Sequence, residues 1–313
     1  MALQEKYVNP FTDFGFKKLF GTEPNKDLLI DFLNEVVLPK HQKIADLTYT
    51  QNEHLGQSDI DRKAIFDLYC TGVNGERFIV EMQKAKQNYF KDRSIFYATF
   101  PIQEQAKRGN WDFKLDEVYL VGVLDFVFAE DQTNKQIRHE IKLKDQNGAV
   151  FYEKLTFIYL EMPHFTKQES ELETSFDKWL YVLQQLPTLE SRPKSLQEKV
   201  FQRLFEAAEI AKFTSKERDQ YEQSLKYYRD LKNVIDTSFE EGKMEGIIEG
   251  KMEGIIEGKL EGIIEGKLEG KLEGIIEEKI EIALKALKKG IDIGMISELT
   301  GLSEEEIGQL KTK

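Results

Sequence analysis

The sequence predicts an α/β fold, in which a mixed sheet is flanked by helices and followed by an α-helical C-terminal region. Three observations support this prediction. Apolar residues near the N-terminus recur at helical spacing, and short apolar runs typical of strands follow them. The segment EVYLVGVLDFVF (117–128) is a strongly apolar strand candidate. Beyond residue 166 the spacing of apolar residues is mainly helical.

The predicted elements follow one another as helix, three strands, helix and strand, with two further strands behind them. This order is typical of an α/β core with a mixed sheet. In the first helical region Gly21 interrupts the apolar stripe and divides it into two segments. The predicted helices cover residues 11–38 and 91–108, and the predicted strands cover residues 44–53, 63–71, 76–83, 117–128, 137–144 and 155–162.

The composition favours an intracellular globular protein. The chain has 313 residues, an apolar fraction of 40% and a net charge of −12, which counts against a non-specific nucleic-acid coat protein. Its one cysteine, Cys70, excludes a disulfide framework and is predicted to be buried in a strand. No signal peptide and no membrane-spanning stretch are visible, so we expect a cytoplasmic protein without a membrane partner.

The segment RKAIFDLYCTGVNGERFIVEMQ (62–83) predicts a β-hairpin that carries polar side chains at its open end. Glu81 and Gln83 share one face of the second strand, because side chains alternate with a period of two. A three-residue loop with a left-handed Gly75 would place Asp67 opposite Glu81, whereas a two-residue loop would turn Asp67 away. We favour the three-residue loop.

Carboxylates in apolar strands are costly unless they are paired or bind a metal. Directly opposed side chains are about 4.5–5.5 Å apart at Cβ, close enough for two carboxylates to hold one hard cation. The residues therefore indicate a divalent-cation site formed by Asp67 and Glu81, and a metal-dependent hydrolase. A local surplus of Lys84, Lys86 and Arg93 would meet a phosphate backbone first; a solvated loop is the alternative.

The C-terminal half divides into three predicted regions. Residues 166–240 form a helical extension. Residues 241–278 repeat EGKMEGII with glycine every four residues, and predict a marginal helix that needs a partner, or else a flexible spacer. Residues 279–313 predict a small helical unit with the outline of a helix-turn-helix, in which a Ser303–Glu306 capping box opens the last helix. Because three glutamates (304–306) would face DNA badly, packing or oligomerisation is favoured over DNA reading there.

These residues together resemble a known family. Asp67 followed by Glu81-Met82-Gln83 is similar to the PD-(D/E)XK nuclease signature, with Gln in place of Lys. The opening VNPFTDFGFKKLFG, the strand FIVEMQ, the helix RSIFYATF and the closing KKGIDIGMISELTGLSEEEI resemble the recombination-promoting nucleases, a transposase-related family of this superfamily. The resemblance implies that residues 1–165 form a restriction-endonuclease-like PD-(D/E)XK core.

The resemblance also implies a function. It suggests a DNA endonuclease that promotes recombination or acts on mobile or foreign DNA, with Mg²⁺, or else Ca²⁺ or Mn²⁺, as cofactor. Asp67 and Glu81 would be the metal ligands, Gln83 would orient the attacking water, and Lys17 would replace the missing lysine charge. Arg93 and Tyr97, one helical turn apart, would contact phosphate.

An alternative remains open. The protein would then be a weak or inactive nuclease-fold protein that binds or regulates DNA and forms homo-oligomers through residues 241–313.

Overall fold

The structure is a computed structural model that describes residues 5–37, 43–50, 53–54, 64–87, 89–106, 112–128 and 135–311. Contacts divide the chain into two units, Met1–Asp236 and Thr237–Lys313. Parts of some predicted elements, residues 38, 51–52, 63 and 107–108, lie outside the described residues.

The helices and strands alternate in the order that the sequence predicts for an α/β core. The helices are α1 Asp13–Phe20, α2 Lys26–Val36, α3 Phe90–Glu104, α4 Ser175–Gln185, α5 Lys199–Ala208, α6 Ser215–Lys288, α7 Ile293–Thr300 and α8 Glu304–Lys311. The strands are β1 Leu47–Tyr49, β2 Glu53–His54, β3 Ala64–Ile65, β4 Leu68–Gly72, β5 Arg77–Gln83, β6 Val118–Leu124, β7 Arg138–Lys144 and β8 Val150–Glu161.

Six of the strands form one mixed sheet in the order β1-β4-β5-β6-β8-β7. Strands β5, β6 and β8 run parallel to one another, and the other neighbouring pairs are antiparallel. The carboxyl ends of the three central strands therefore meet at one edge of the sheet, where α/β proteins commonly bind ligands. Strands β2 and β3 form a separate two-stranded ladder.

Each face of the sheet packs against its own set of helices. On one face Phe78, Val80 and Met82 of β5 belong to a large core with residues of α1, α2, α4, α5 and the start of α6. On the other face Ile79 of β5 belongs to a second core with Phe90 and other residues of α3. The predicted alternation along β5 is therefore present, and it places Glu81 and Gln83 on the face that α3 covers. Cys70 is buried in the larger core, as predicted.

Several elements have other bounds than predicted, and two of these differences affect the site or the sheet. The predicted strand over 63–71 is interrupted at Phe66 and Asp67, between β3 and β4. This bend leaves Asp67 at the end of the ladder, where its side chain can bond to a main-chain group. Strand β8 begins at Val150, five residues before its predicted start, because it forms a long hairpin with β7.

The second unit contains the glycine repeat and the C-terminal helices. Residues 241–278 are helical throughout and belong to α6, in agreement with the favoured prediction of a helix. The end of α6 packs against α7 and α8 through a small core that contains Ala283, Ile296 and Ile307. The predicted capping box is present, because Glu306 N–H donates to the Ser303 hydroxyl (3.3 Å) and Ser303 N–H donates to the Glu306 carboxylate (2.8 Å).

Candidate active site

The hairpin of β4 and β5 brings two carboxylates to one end of the sheet. Leu68 pairs with Val80 in the antiparallel ladder. Continuing this pairing by one residue places Asp67 opposite Glu81. The register is the one expected from a three-residue loop.

The loop itself has three residues, 73–75. It is closed by a hydrogen bond from Gly72 N–H to Glu76 O (2.8 Å). Gly75 has a φ of 97°, a conformation that L side chains rarely adopt. Glycine at this position therefore permits the loop length on which the register of the hairpin depends.

Main-chain N–H groups hold both carboxylates in place. Met82 N–H donates to Asp67 Oδ2 (2.7 Å), and Asp67 N–H donates to Glu81 Oε1 (3.3 Å). The Asp67 carboxylate thus accepts the hydrogen bond from Met82 N–H that a main-chain carbonyl would accept if the ladder continued past Leu68 and Val80. Glu81 is only 7% exposed. The two acidic groups are consequently fixed side by side with little water around them.

Burial and mutual repulsion oppose ionisation of this pair. Burial raises the pKa of Glu81, and the charge of Asp67 raises it further, while Arg93 and Lys17 act in the opposite direction. Burial also raises the pKa of Asp67, and the hydrogen bond from Met82 N–H partly offsets the increase. A positive charge between the two groups would relieve both effects.

The donor set fits a hard divalent cation. Mg²⁺ is commonly held by one or two carboxylates, with water and substrate phosphate completing its coordination. Over the ranges that the structure describes, no group of three or more His, Cys, Asp or Glu side chains could hold a metal ion. The protein part of a cation site would therefore be Asp67 and Glu81, with other ligands from water, main-chain carbonyls or DNA.

Gln83 lies at its predicted position at the end of β5, and two hydrogen bonds hold its side chain within the protein. Its side-chain amide donates from Nε2 to Ala85 O (2.9 Å), and its Oε1 accepts from Arg93 Nη2 (2.6 Å). The side chain is 8% exposed. Each end of the amide makes one hydrogen bond within the protein, and the role of Gln83 in orienting a water molecule stays a prediction.

Arg93 and Tyr97 lie next to each other on α3, on the carboxylate face. The Arg93 guanidinium is 5.3 Å from the centre of the Phe90 ring and 5.7 Å from that of Tyr97. The Tyr97 ring packs edge-on against Phe66, with centroids 5.1 Å apart. Burial raises the pKa of Tyr97, and the charge of Glu81 adds to the increase. Both predicted phosphate contacts are therefore near the carboxylates.

The predicted lysines are less closely associated with the two carboxylates than Arg93 and Tyr97 are. Lys17 on α1 forms an ion pair with Asp13 (2.9 Å), and both side chains are about half exposed. Lys84 follows Gln83 and contacts the Tyr227 ring at 5.6 Å, as expected for a residue on the opposite face. Burial lowers the pKa of Lys84, while the charges of Asp13 and Asp67 act against this. Lys86 is exposed.

A second polar cluster was missed by the sequence analysis. Glu161, at the end of β8, is 0% exposed and accepts a hydrogen bond from Phe128 N–H at Oε1 (2.8 Å). Its Oε2 lies 3.6 Å from His139 Nε2 and 3.3 Å from His164 Nε2. One signal in the sequence could have found it: Glu161 lies at the end of an apolar strand, and the carboxyl ends of parallel strands gather at one edge of a sheet.

This cluster lies on the same face as Gln83. The ladder places Gln83 beside Leu124, and Leu124 beside Glu161. Two strand spacings separate the residues, which corresponds to about 10 Å. Asp125, the next residue of the chain after β6, accepts a hydrogen bond from the Tyr228 hydroxyl (3.1 Å) on α6. The edge that carries the candidate site is thus rich in buried acidic groups.

Comparison with known proteins assigns the chain to a family. The family model of the PD-(D/E)XK nuclease family transposases matches residues 10–238, more than half of the chain. The protein therefore belongs to the PD-(D/E)XK nuclease family transposases. Its mixed sheet with flanking helices is the restriction-endonuclease-like core that the resemblance implies. Membership supports a nuclease or transposase-like function.

The C-terminal helices match a second family model. Residues 277–312 match the C-terminal HTH domain of the Rpn/YhgA-like nuclease family. This match confirms the helix-turn-helix outline, and it favours DNA binding over the packing or oligomerisation role that the sequence analysis favoured. The comparisons with curated proteins and with solved structures found no match. Within the described ranges, no helix is both long and apolar enough to cross a bilayer.

Proposed function

We propose that the protein is a divalent-metal-dependent DNA endonuclease. The observation that supports this most directly is the pair of carboxylates, Asp67 and Glu81, held side by side at the end of a hairpin in a PD-(D/E)XK family chain. Mg²⁺ is the first candidate, with Ca²⁺ and Mn²⁺ as alternatives. The enzyme would act in the cytoplasm on mobile or foreign DNA and promote recombination through the breaks it makes.

The chain's own residues would prepare the site for phosphodiester hydrolysis. Asp67 and Glu81 would hold the cation, which when bound lowers the pKa of a water molecule and neutralises charge on the phosphate. The N–H groups of Met82 and Asp67 fix the two carboxylates before substrate arrives. Such preorganisation avoids the cost of arranging charged groups during the reaction.

DNA would reach this site across a basic segment. Lys84, Lys86 and Arg93 lie between the end of β5 and the first turn of α3. Because each phosphate contact by Lys or Arg releases counterions, binding should weaken steeply as salt concentration rises. The helix-turn-helix domain at 277–312 would supply a second DNA contact.

Plasmid cleavage tests the proposal. Wild-type protein should nick supercoiled plasmid with Mg²⁺ or Mn²⁺ and stop when EDTA is added. Asp67→Asn and Glu81→Gln should lower the rate by at least about 100-fold, the effect typical of losing one group that stabilises charge in an active site. Glu153→Gln is the matched control, because Glu153 is an exposed carboxylate on β8 that pairs with Lys142.

A second candidate is a DNA-binding or regulatory protein without nuclease activity that associates with itself through residues 241–313. The observation that favours it is the occupied amide of Gln83 at the position where the family signature has lysine. Wild-type protein that binds labelled DNA but cleaves none with Mg²⁺, Mn²⁺ or Ca²⁺ would support this candidate over the first.

A further inference from the structure

We infer that Arg93 supplies the positive charge that stabilises the substrate phosphate, and that Gln83 is a positioning residue that holds Arg93 toward the carboxylates. This inference rests on the proposed nuclease function. It assigns to a helix residue the charge that lysine provides from the strand in the family signature.

The Gln83 side chain is built as a fixed acceptor. Its Nε2 is anchored to the carbonyl of Ala85, two residues along the chain (2.9 Å), so that Oε1 points to Arg93 Nη2 (2.6 Å). A hydrogen bond to a charged group is stronger than one between neutral groups. Gln83 is buried. It can therefore hold a guanidinium in one place.

Arg93 has the donors and the surroundings to bind an anion there. Its Nη1 donates to Gln87 Oε1 and its Nη2 to Gln83 Oε1. These bonds use one N–H of each terminal nitrogen, whereas a guanidinium carries five N–H donors. The rings of Phe90 and Tyr97 flank the group. The Arg93 charge also acts on Glu81, which places it within electrostatic reach of that carboxylate.

The competing cations are less well placed. Lys17 is engaged with Asp13 near the surface, although its charge also reaches Asp67 and Glu81. Lys84 packs toward Tyr227, on the opposite face of β5, although its charge also reaches Asp67. Planar guanidinium groups also match phosphate oxygens with paired donors, which an ammonium cannot do.

The test compares single variants with a rescue. Arg93→Gln should lower kcat for plasmid nicking by about 100-fold, while KM and the dissociation constant for short duplex DNA without metal change by less than about tenfold, as expected for the loss of one phosphate contact. Gln83→Lys in the Arg93→Gln background should restore at least tenfold, because the new ammonium occupies the signature position. Lys17→Gln and Lys84→Gln test the competing cations, and each should lower kcat less than Arg93→Gln does. Arg203→Gln, which removes an ion pair between α5 and Asp27 of α2, is the matched control and should lower kcat less than threefold.

Each outcome has a clear meaning. An active Arg93→Gln variant, or a larger loss in Lys17→Gln than in Arg93→Gln, overturns the inference while the nuclease function stands. Wild-type protein that never cleaves overturns both. Thermal unfolding of every variant separates a lost charge from a lost fold, and rescue by Gln83→Lys would not occur if Arg93 were merely structural.

Discussion

Asp67 and Glu81 are linked by a main-chain hydrogen bond, because Asp67 N–H donates to the Glu81 carboxylate at 3.3 Å. The carboxylate of Asp67 is in turn held by Met82 N–H, one residue beyond Glu81. Neither acidic group can move away from the other without losing such a bond. The structure therefore holds two like charges together in a poorly hydrated place, and this has measurable consequences.

The first prediction concerns pH. The folded-state pKa of Glu81 is raised above its usual value of 4.5. Between 4.5 and the raised pKa the folded protein thus keeps a proton that the unfolded chain releases. Stability should fall as pH rises through this window and stay low above it. Glu81→Gln keeps an acceptor for Asp67 N–H, and should stabilise the metal-free protein at high pH by at least about 1.4 kcal/mol, the value of one pKa unit.

Denaturant unfolding of both proteins between pH 4 and pH 9 measures this difference. The advantage of the Gln variant should grow with pH and should be small below the usual pKa. The control Glu153→Gln, at an exposed carboxylate, should show the same dependence of its free energy of unfolding on pH as wild type. A constant difference between Glu81→Gln and wild type across the range would contradict the prediction.

The second prediction concerns cation binding in the absence of DNA. A ligand that binds only the folded state stabilises it by about 2.7 kcal/mol at 100 times its dissociation constant. Mg²⁺ or Ca²⁺ should therefore raise the thermal midpoint of wild-type protein. Asp67→Asn and Glu81→Gln should lose most of this rise, and Glu153→Gln should keep it. An equal rise in all four proteins would mean that the ions bind elsewhere.

The hairpin could be predicted from the sequence because its information is local. Alternation with a period of two separates Glu81 and Gln83 from Phe78, Val80 and Met82 of the same strand. The loop length then decides which face Asp67 occupies. Both steps depend on residues adjacent in the chain, so the pairing of the two carboxylates followed without any knowledge of the rest of the fold.

The contacts of Gln83 and Glu161 could not be predicted in the same way. Arg93 reaches Gln83 only because α3 packs across the sheet at a particular rotation, which is a property of the tertiary structure. Glu161 meets His139 because β7 pairs with β8, whereas His164 lies three residues after Glu161 in the turn that follows β8. Local patterns do not determine the order of strands in a sheet. The contact between Glu161 and His139 therefore could not be read from their spacing along the chain.

The third prediction tests the hairpin loop. Gly75 has φ of 97°, and a Cβ there would lie 2.7 Å from Asp116 Oδ2. Gly148, in the β7–β8 loop, has φ of 84°, and an added Cβ would meet nothing within 4 Å. Both Gly→Ala changes should cost about 1–2 kcal/mol for the backbone conformation, and Gly75→Ala should cost more because Asp116 must also move.

Denaturant midpoints and plasmid nicking distinguish the two loops. Gly75→Ala should reduce the rate of nicking even at denaturant concentrations at which the protein is still folded, because its loop sets the register of Asp67 against Glu81. Gly148→Ala should lower stability and leave nicking nearly unchanged. Equal effects of the two substitutions on nicking would show that the loop at 73–75 does not control the site.

The last prediction concerns the glycine repeat. The repeat is helical despite nine glycines, and the neighbourhood of each of these glycines is open, with nothing within 4 Å of an added Cβ. Glycine costs about 0.8–1.0 kcal/mol relative to alanine in a helix interior. Substituting Gly250, Gly254 and Gly258 by alanine should therefore stabilise the helix by roughly 2–3 kcal/mol and raise the helical signal in circular dichroism at elevated temperature.

Because the exposed isoleucines of the repeat remain, the mass of any assembly measured by light scattering should not change. A lower mass would instead mean that the helix of a second copy lies close to these glycines, because added methyl groups would then push the two helices apart.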